Sequence, residues 1–224
     1  MMKAVLFDLD GTLLDRDQSV HRFIVSQYDR FSNYLDHIPV DTYLTRFVEL
    51  DCRGYTGKDM VYSKLVKEFN IPGCNWESLY DDYFTNFHVH CVPFPNLIRM
   101  LENLKRNSLI LGVITNGYHD FQLKNIKALE IKHYFDVILV SETEGIKKPN
   151  PEIFKRAIDQ LGVSTEESIF VGDHPENDIA AAKSAGMTAI WKKDEGWSMD
   201  ETKADFIIDD LLELCSIFEE MDAK

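Results

Sequence analysis

Short apolar runs alternate with helical patterns along most of the chain, and this alternation constrains the fold more than any other feature of the sequence. The runs are rich in Val, Ile and Phe, as expected of strands that are buried on both faces. Between them, apolar residues recur three and four positions apart, which is typical of helices. The alternation predicts an α/β fold, with a Rossmann-like parallel sheet core covered by helices on both faces. The predicted strands cover residues 3–9, 109–114, 137–140, 168–171, 188–191 and 206–208.

A long segment after the first predicted strand interrupts this alternation. Between residues 15 and 91, strand-like runs are scarce and apolar residues recur at helical spacing. The simplest account is an α-helical domain inserted into the α/β pattern, with Pro93 and Pro95 marking the return to it. We therefore predict a core domain of residues 1–14 and 92–224 and an inserted helical domain of residues 15–91.

Composition and charge exclude several classes of partner. The 224 residues include 24 Lys and Arg against 38 Asp and Glu, which gives a formal net charge of -14. This charge repels nucleic-acid phosphates, so we expect no nucleic-acid partner, and any anion site needs local cations. No run approaches the roughly 20 apolar residues of a membrane span, so we expect no membrane association. The short N-terminal apolar run and the 4 cysteines, whose spacing fits no zinc pattern, favour a cytoplasmic protein.

Polar residues follow four of the predicted strands at their carboxyl ends. In an open parallel sheet, ligands bind at this edge. Clustered carboxylates would repel one another without a cation, so the pattern indicates a site rather than a part of the core. The residues are Asp8 and Asp10 after the first strand, Thr115 and Asn116 after the second, Lys148 after the third, and Asp173 and Asp178 after the fourth.

These residue types favour phosphoryl chemistry with a divalent metal. Asp8 and Asp10 are two positions apart, so strand alternation places both carboxylates on one side, where they suit a nucleophile beside a general acid/base. Asp173 offers a further oxygen ligand for Mg²⁺, which prefers carboxylates, water and substrate phosphate. Lys148 supplies positive charge for a phosphoryl oxygen. Thr115 supplies a hydroxyl, and the turn that follows it supplies backbone N–H groups.

Taken in order, the same residues resemble the four motifs of the haloacid dehalogenase (HAD) superfamily of hydrolases. The resemblance covers residues 1–14 and about 92–200, and the order of the motifs makes it specific. It points to a phosphatase, because Asp10 supplies the general acid that expels an alkoxide, whereas true dehalogenases lack this carboxylate. The matching segments are Asp8-Leu9-Asp10-Gly11-Thr12, Thr115-Asn116-Gly117, Lys148-Pro149, and Gly172-Asp173 with Asp178.

The resemblance implies a Mg²⁺-dependent phosphatase with a covalent intermediate. Asp8 would attack phosphorus and form an aspartyl phosphate, while Asp10 would protonate the leaving oxygen and then activate water. The metal would be held by the Asp8 carboxylate, the Asp10 backbone carbonyl and Asp173. Asp178 would support the metal through water or orient Lys148. The phosphoryl group would be held by Thr115, Asn116 and Lys148.

The inserted domain resembles the helical (class 1) cap of this superfamily, which closes over the site and selects the substrate. Arg53 and Lys58 lie in a loop of this domain and are candidate substrate contacts, and a solvated loop between helices explains them equally well.

The predicted substrate is a small phosphomonoester. Residues 115–117 with Gln122 are similar to the branch of nucleotide 5′-phosphatases, which favours a nucleoside 5′-monophosphate. Phosphoglycolate or sugar-phosphate phosphatases, a phosphomutase and a phospho-aspartate signalling module stay open as alternatives. The oligomeric state, monomer or homodimer, stays open as well.

Overall fold

The computed structural model describes residues 2–198 and 203–222 of the chain. The chain divides into two compact units, one of residues 1–15 and 93–224 and one of residues 16–92. Residues 199–202 and 223–224, which fall within the predicted core domain, lie outside the described residues. In the described ranges, no helix has both the length and the apolar character required to cross a membrane.

The described part of the chain contains both strands and helices. The strands are β1 (Ala4–Phe7), β2 (Ile110–Thr115), β3 (Val137–Val140), β4 (Ser168–Gly172), β5 (Thr188–Lys192) and β6 (Phe206–Ile208). The helices are α1 (Arg16–Arg30), α2 (Ser32–Leu35), α3 (Val40–Asp51), α4 (Lys58–Glu68), α5 (Trp76–Asn86), α6 (Leu97–Arg106), α7 (His119–Ala128), α8 (Ser141–Glu144), α9 (Glu152–Leu161), α10 (Ala181–Ser184) and α11 (Glu213–Asp222). Shorter turns are the 3₁₀ segments Cys52–Gly54, Phe87–His90, Lys132–Tyr134 and Thr165–Glu167 and the π-helical turn Pro175–Ala180.

The six strands of the first unit form one parallel sheet in the order β3-β2-β1-β4-β5-β6. At the centre, Phe7 of β1 lies opposite Val113 of β2 and Val171 of β4. The chain passes to one side of β1 through β2 and β3 and to the other side through β4, β5 and β6. Ligands bind in open α/β sheets at the carboxyl ends of the strands where the order reverses in this way. The prediction of an α/β fold with a Rossmann-like parallel sheet is confirmed.

The core of the first unit explains why the apolar runs form strands. Every residue of β1 is fully buried, as are the apolar residues of β4, because helices cover both faces of the sheet. On α9, the residues Ile153, Phe154, Ala157 and Ile158 recur at helical spacing and are buried. The Phe154 ring meets the ring of Phe170 edge-on at 4.8 Å. Helix α9 matches the helix that the sequence pattern predicts over residues 151–161.

The sequence pattern also predicts a helix over residues 179–185, and here the structure differs. Only the short α10 is α-helical, and the π-helical turn precedes it. In this turn, the carbonyl of His174 accepts hydrogen bonds from the N–H groups of both Asp178 and Ile179, at 3.1 and 3.2 Å. The ring nitrogen Nδ1 of His174 caps two more N–H groups of the turn. The spacing of apolar residues does not predict this π-helical turn. The turn is defined by the hydrogen bonds that His174 makes at its N-terminal end.

The second unit consists of α1–α5 and two 3₁₀ segments, and residues 16–92, all of which are described, form no strand. Its core combines aliphatic and aromatic side chains. Within it, the buried amide of Gln27 accepts a hydrogen bond from the Tyr62 hydroxyl and donates one to the carbonyl of Leu79, both at 2.9 Å. This unit therefore has a core of its own. The aromatic residues of the core include Phe23, Phe47, Tyr62, Tyr83 and Phe87.

We expect Ile153→Ala to lower the free energy of unfolding by about 2–5 kcal/mol, because the truncation leaves a cavity where the side chain is fully buried. The matched control is Ile98→Ala on α6, where the side chain is 40% exposed and the expected loss is under about 1 kcal/mol. Urea denaturation of both variants measures the difference. Equal losses would show that Ile153 does not contribute to the core as described.

Candidate active site

Four charged side chains meet at the carboxyl edge of the sheet. Asp8 follows β1 and Asp173 follows β4, and these strands are neighbours. The N–H of Asp8 donates to the carbonyl of Val171 at 2.9 Å, which extends the pairing beyond β1. Lys148 Nζ lies 2.5 Å from Asp8 Oδ1 and 2.7 Å from Asp178 Oδ1. All four side chains are buried, with Lys148 only 3% exposed.

Three carboxylates lie close together here, and two of them, Asp8 and Asp178, contact the Lys148 ammonium. One oxygen each from Asp8, Asp173 and Asp178 lies within 4.8 Å of the other two. Burial raises the pKa of Asp8 to about 7, opposed by Lys148 and reinforced by Asp178. Burial, and after it the charges of Asp178 and Asp8, raises the pKa of Asp173 well above its usual range. Burial alone would lower the pKa of Lys148, but the two carboxylates that it contacts outweigh burial and raise it, so the ammonium stays charged.

The charge of this cluster suits a divalent cation. With all groups ionised, three carboxylates and one ammonium leave a surplus of two negative charges, and oxygen ligands are the ones that hard cations prefer. Both oxygens of Asp178 are already engaged, Oδ1 with Lys148 and Oδ2 with the N–H of His174 at 3.0 Å. Asp8 and Asp173 are therefore the better candidates to ligate a metal, and Asp178 is the better candidate to orient Lys148.

The backbone and side chain of Asp173 are held from several directions. Trp191 Nε1 donates to the Asp173 carbonyl at 2.6 Å, and the Thr12 hydroxyl lies 3.4 Å from Asp173 Oδ1. Gly11 has φ +88°, and a Cβ atom there would lie 2.6 Å from the Asp173 carboxylate. Only glycine fits this position, because both the conformation and the space exclude a side chain. The Trp191 bond is a contact that the sequence does not reveal, since a tryptophan in an apolar strand predicts only core packing.

The side-chain amide of Asn116 holds the backbone of Lys148. Asn116 Nδ2 donates to the Lys148 carbonyl at 3.0 Å, and the Lys148 N–H donates to Asn116 Oδ1 at 2.9 Å. Both ends of the amide are thus engaged with Lys148, and the backbone N–H is a further group of Asn116 that can donate to a phosphoryl oxygen. The N–H of Gly117 donates to Ser141 Oγ at 3.0 Å, so the turn offers fewer N–H groups than the sequence predicts.

Asp10 has a hydrogen-bond partner outside the charge cluster. Strand β1 ends at Phe7, so the loop rather than strand alternation orients Asp8 and Asp10. Asp10 Oδ2 accepts a hydrogen bond from Gln122 Nε2 at 2.7 Å, and the same amide nitrogen lies 2.9 Å from Thr115 Oγ1. In the sequence, Gln122 stands out only through the family resemblance, and nothing there places it beside Asp10. The position of Gln122 on helix α7 does not by itself predict a contact with Asp10.

The two candidate substrate contacts lie in the second unit. Lys58 Nζ is 2.5 Å from Asp51 Oδ1, and Arg16 Nη2 is 2.6 Å from Asp51 Oδ2. Although burial acts in the opposite direction, these two cations lower the pKa of Asp51. The charge of Lys58 is thus balanced within its own unit. Arg53 is exposed and adopts a left-handed conformation with φ 56°. Substrate contact by Arg53 or Lys58 stays a prediction.

Comparison with known proteins identifies the family. The family model of haloacid dehalogenase-like hydrolases matches residues 5–192, and the chain therefore belongs to this family. The resemblance found in the four motifs is confirmed at this level. Among hydrolases of this family, the chain is a phosphatase, as are the matching relatives named glyceraldehyde 3-phosphate phosphatase and phosphoserine phosphatase.

Three relatives illustrate the degree of similarity. The glyceraldehyde 3-phosphate phosphatase of Pyrococcus furiosus is 30% identical, over 97% of this chain and 93% of its own length. The phosphoserine phosphatase of Thermus thermophilus is 34% identical over a shorter match, 54% of this chain and 49% of that protein. The crystal structure of a HAD phosphatase from Thermococcus onnurineus is 32% identical, with a TM-score of 0.69, and the match covers 97% of this chain and 98% of that one.

The raised pKa of Asp8 predicts how stability depends on pH without metal. Below the ordinary pKa of aspartate, Asp8 is protonated in the folded and unfolded states. As the pH rises towards about 7, the unfolded chain releases this proton first, so the folded state loses relative stability until Asp8 also ionises. Between about pH 5 and about pH 8, the wild type should lose on the order of 2–3 kcal/mol of unfolding free energy relative to Asp8→Asn.

Urea denaturation in the presence of EDTA at the two pH values measures this loss. Asp159→Asn, at an exposed acid on α9, is the matched control and should follow the wild type. A difference between wild type and Asp8→Asn that does not change with pH would contradict the prediction.

Proposed function

We propose that this protein is a Mg²⁺-dependent phosphatase that hydrolyses a small phosphomonoester through an aspartyl phosphate on Asp8. The observation that carries the proposal is the buried Lys148 ammonium between Asp8 and Asp178, with Asp173 as a third carboxylate. The carboxylates of Asp8 and Asp173, together with the backbone carbonyl of Asp10, would hold the metal. When bound, Mg²⁺ supplies positive charge to the phosphoryl oxygens and balances the surplus of carboxylates.

In the first step, a carboxylate oxygen of Asp8 forms a bond to phosphorus while the bond from phosphorus to the leaving oxygen breaks. Asp10, in its protonated form, donates its proton to that oxygen, and the alcohol departs. Lys148 binds Asp8 and Asp178 and offsets the negative charge that the phosphoryl group brings into the buried site. The products of this step are the free alcohol, the aspartyl phosphate and ionised Asp10.

In the second step, water attacks the phosphorus of the aspartyl phosphate, and the bond from phosphorus to the Asp8 oxygen breaks. Asp10, now ionised, accepts the proton of the attacking water and returns to its starting state. Inorganic phosphate leaves, and the Asp8 carboxylate returns to its contact with Lys148. One carboxyl group thus serves both steps, first as acid and then as base.

The phosphoryl group would be held at the end of β2. The Thr115 hydroxyl is one donor, and the backbone N–H of Asn116 is another, because the side chain of Asn116 is engaged with Lys148. The side chain of Asn116 then has a different task, which is to fix the backbone that carries the Lys148 ammonium. Both donors act best where water is excluded, and Thr115 is 1% exposed.

For the substrate, the full-length relative favours a three-carbon phosphomonoester, since the Pyrococcus furiosus protein is named for glyceraldehyde 3-phosphate. The nucleoside 5′-monophosphate that the motif resemblance favours stays a competing prediction. We further propose that residues 15–91 serve as a cap domain that selects the substrate, with Arg53 and Lys58 as its candidate contacts.

The proposal predicts Mg²⁺-dependent release of phosphate that Asp8→Asn lowers by more than about 10³-fold, because the variant lacks the nucleophile. The assay uses the three-carbon phosphates glyceraldehyde 3-phosphate and phosphoserine, together with phosphoglycolate, nucleoside monophosphates and hexose phosphates, with Asp159→Asn as the control that should match the wild type. Three-carbon phosphates should have the highest kcat/KM.

The same assay separates the alternatives. If a nucleoside monophosphate is the best substrate, the proposed substrate class is wrong but the proposed mechanism still holds. Release by Asp8→Asn at the wild-type rate would overturn the mechanism. An isomerised sugar phosphate without free phosphate would indicate a mutase, and a stable aspartyl phosphate without turnover would indicate a signalling module.

Replacement of the Asp173 carboxylate should have opposite effects on metal binding and on the stability of the metal-free protein. We expect Mg²⁺ to raise the melting temperature of the wild type by ligand linkage and to leave that of Asp173→Asn nearly unchanged. Without metal, Asp173→Asn should melt about 2–4 °C above the wild type, because the substitution relieves repulsion among buried carboxylates. Thermal denaturation with EDTA and with Mg²⁺ tests both, and an equal Mg²⁺ shift in the two proteins would contradict the ligand assignment.

A further inference from the structure

The amide of Gln122 connects Asp10 to the end of β2. Its Nε2 atom lies 2.7 Å from Asp10 Oδ2, 2.9 Å from Thr115 Oγ1 and 3.0 Å from the carbonyl of Asn116. Gln122 is on α7 and is 2% exposed. A single buried nitrogen thus bridges the acid that follows β1 and the residues that follow β2, although 112 positions of sequence separate Asp10 and Gln122.

A second amide sets the orientation of the first. Asn125, one helical turn further along α7, is fully buried, and its Nδ2 donates to Gln122 Oε1 at 3.2 Å. Because Oε1 is occupied as an acceptor by Asn125, the N–H₂ end of Gln122 must face Asp10 and Thr115. The pair therefore presents donors, and no acceptor, to the Asp10 carboxylate.

Packing of the core does not require these amides. The buried residues of α7 are Gln122, Asn125 and Ile126, so the face of the helix that enters the core carries two polar side chains. Burial of an amide is unfavourable unless its hydrogen bonds are made, and an apolar side chain of the same length would avoid that requirement. Gly117 leaves space for the Gln122 side chain, because a Cβ atom at position 117 would lie only 3.2 Å from that side chain.

We propose that Gln122, oriented by Asn125, is a positioning residue for the general acid/base Asp10, an inference that rests on the proposed phosphatase function. The amide N–H can only donate, so it binds Asp10 Oδ2 as an acceptor. The proton of protonated Asp10 therefore resides on Oδ1, the oxygen that Gln122 leaves free to meet the leaving group. In the second step the same contact leaves Oδ1 to accept the proton of water.

The dependence on the leaving group distinguishes this role from a structural one. Expulsion of an alkoxide requires the acid, whereas nitrophenolate leaves without protonation, and kcat/KM reports the steps up to the departure of the alcohol. We expect Gln122→Met, which keeps the length but removes the donor, to lower kcat/KM about 10- to 100-fold for an alkyl phosphate. For p-nitrophenyl phosphate the loss should stay below about threefold.

Matched variants complete the experiment. Gln160→Met, at an exposed glutamine on α9, should retain wild-type kcat/KM for both esters. Asp10→Asn should show the same selective loss as Gln122→Met but a larger one, because it removes the acid itself. Asn125→Ala, which frees the Gln122 amide to rotate, should show a smaller loss of the same kind, and it decides the question if Gln122→Met does not fold.

The outcomes separate this inference from the proposed function. An active wild type in which Gln122→Met and Asn125→Ala lose equal factors for both esters, or lose nothing, overturns the positioning role alone. A wild type that releases no phosphate from either ester overturns the phosphatase function, and the positioning role with it. A selective loss in Gln122→Met, shared by Asp10→Asn and absent from Gln160→Met, supports both.

Discussion

The contact of the Lys148 ammonium with Asp8 and Asp178 is the interaction on which the rest of the site depends. Each partner comes from a different segment: the end of β1, the turn after β4 and the loop before α9. A buried charge that loses its partner costs several kcal/mol, so the three segments stabilise one another in this arrangement. Asp173 adds a negative charge that Lys148 does not balance. This imbalance, rather than any single residue, is the physical reason to propose a divalent cation.

Side-chain amides surround the charged groups and hold them in place. Asn116 fixes the backbone of Lys148, and Gln122, supported by Asn125, contacts the carboxylate of Asp10. An amide carries donors and an acceptor but no charge, so it can orient a carboxylate without altering the charge balance of the cluster. The proposed catalytic groups are thus acids and a lysine, and the groups that hold them include neutral amides as well as the acid Asp178.

Each of the two units has a core of its own. The second unit packs aromatic rings around α1, α4 and α5, and it balances the buried Asp51 with Arg16 and Lys58. In the first unit, Leu14 and Pro93 form a bridge, so the points where the chain leaves and re-enters this unit are neighbours. An insertion between adjacent points leaves the pairing of β1 undisturbed, which is why a helical segment can follow the first strand of a parallel sheet.

The sequence by itself determined the α/β class, the helical insertion, and the acids, lysine and threonine at the strand ends. Periodicity and strand direction are local properties, and the carboxyl ends of parallel strands must meet at one edge. The order of the strands and motifs also predicted that Asp8 and Lys148 lie at the same edge of the sheet, although it gave no distance between them. Only the tertiary structure decided that Gln122 binds Asp10, that the Asn116 side chain binds the backbone of Lys148, and that Trp191 binds the carbonyl of Asp173. These contacts join residues far apart in the chain, and their distances follow from how helices and loops pack on the sheet, which no spacing in the sequence encodes.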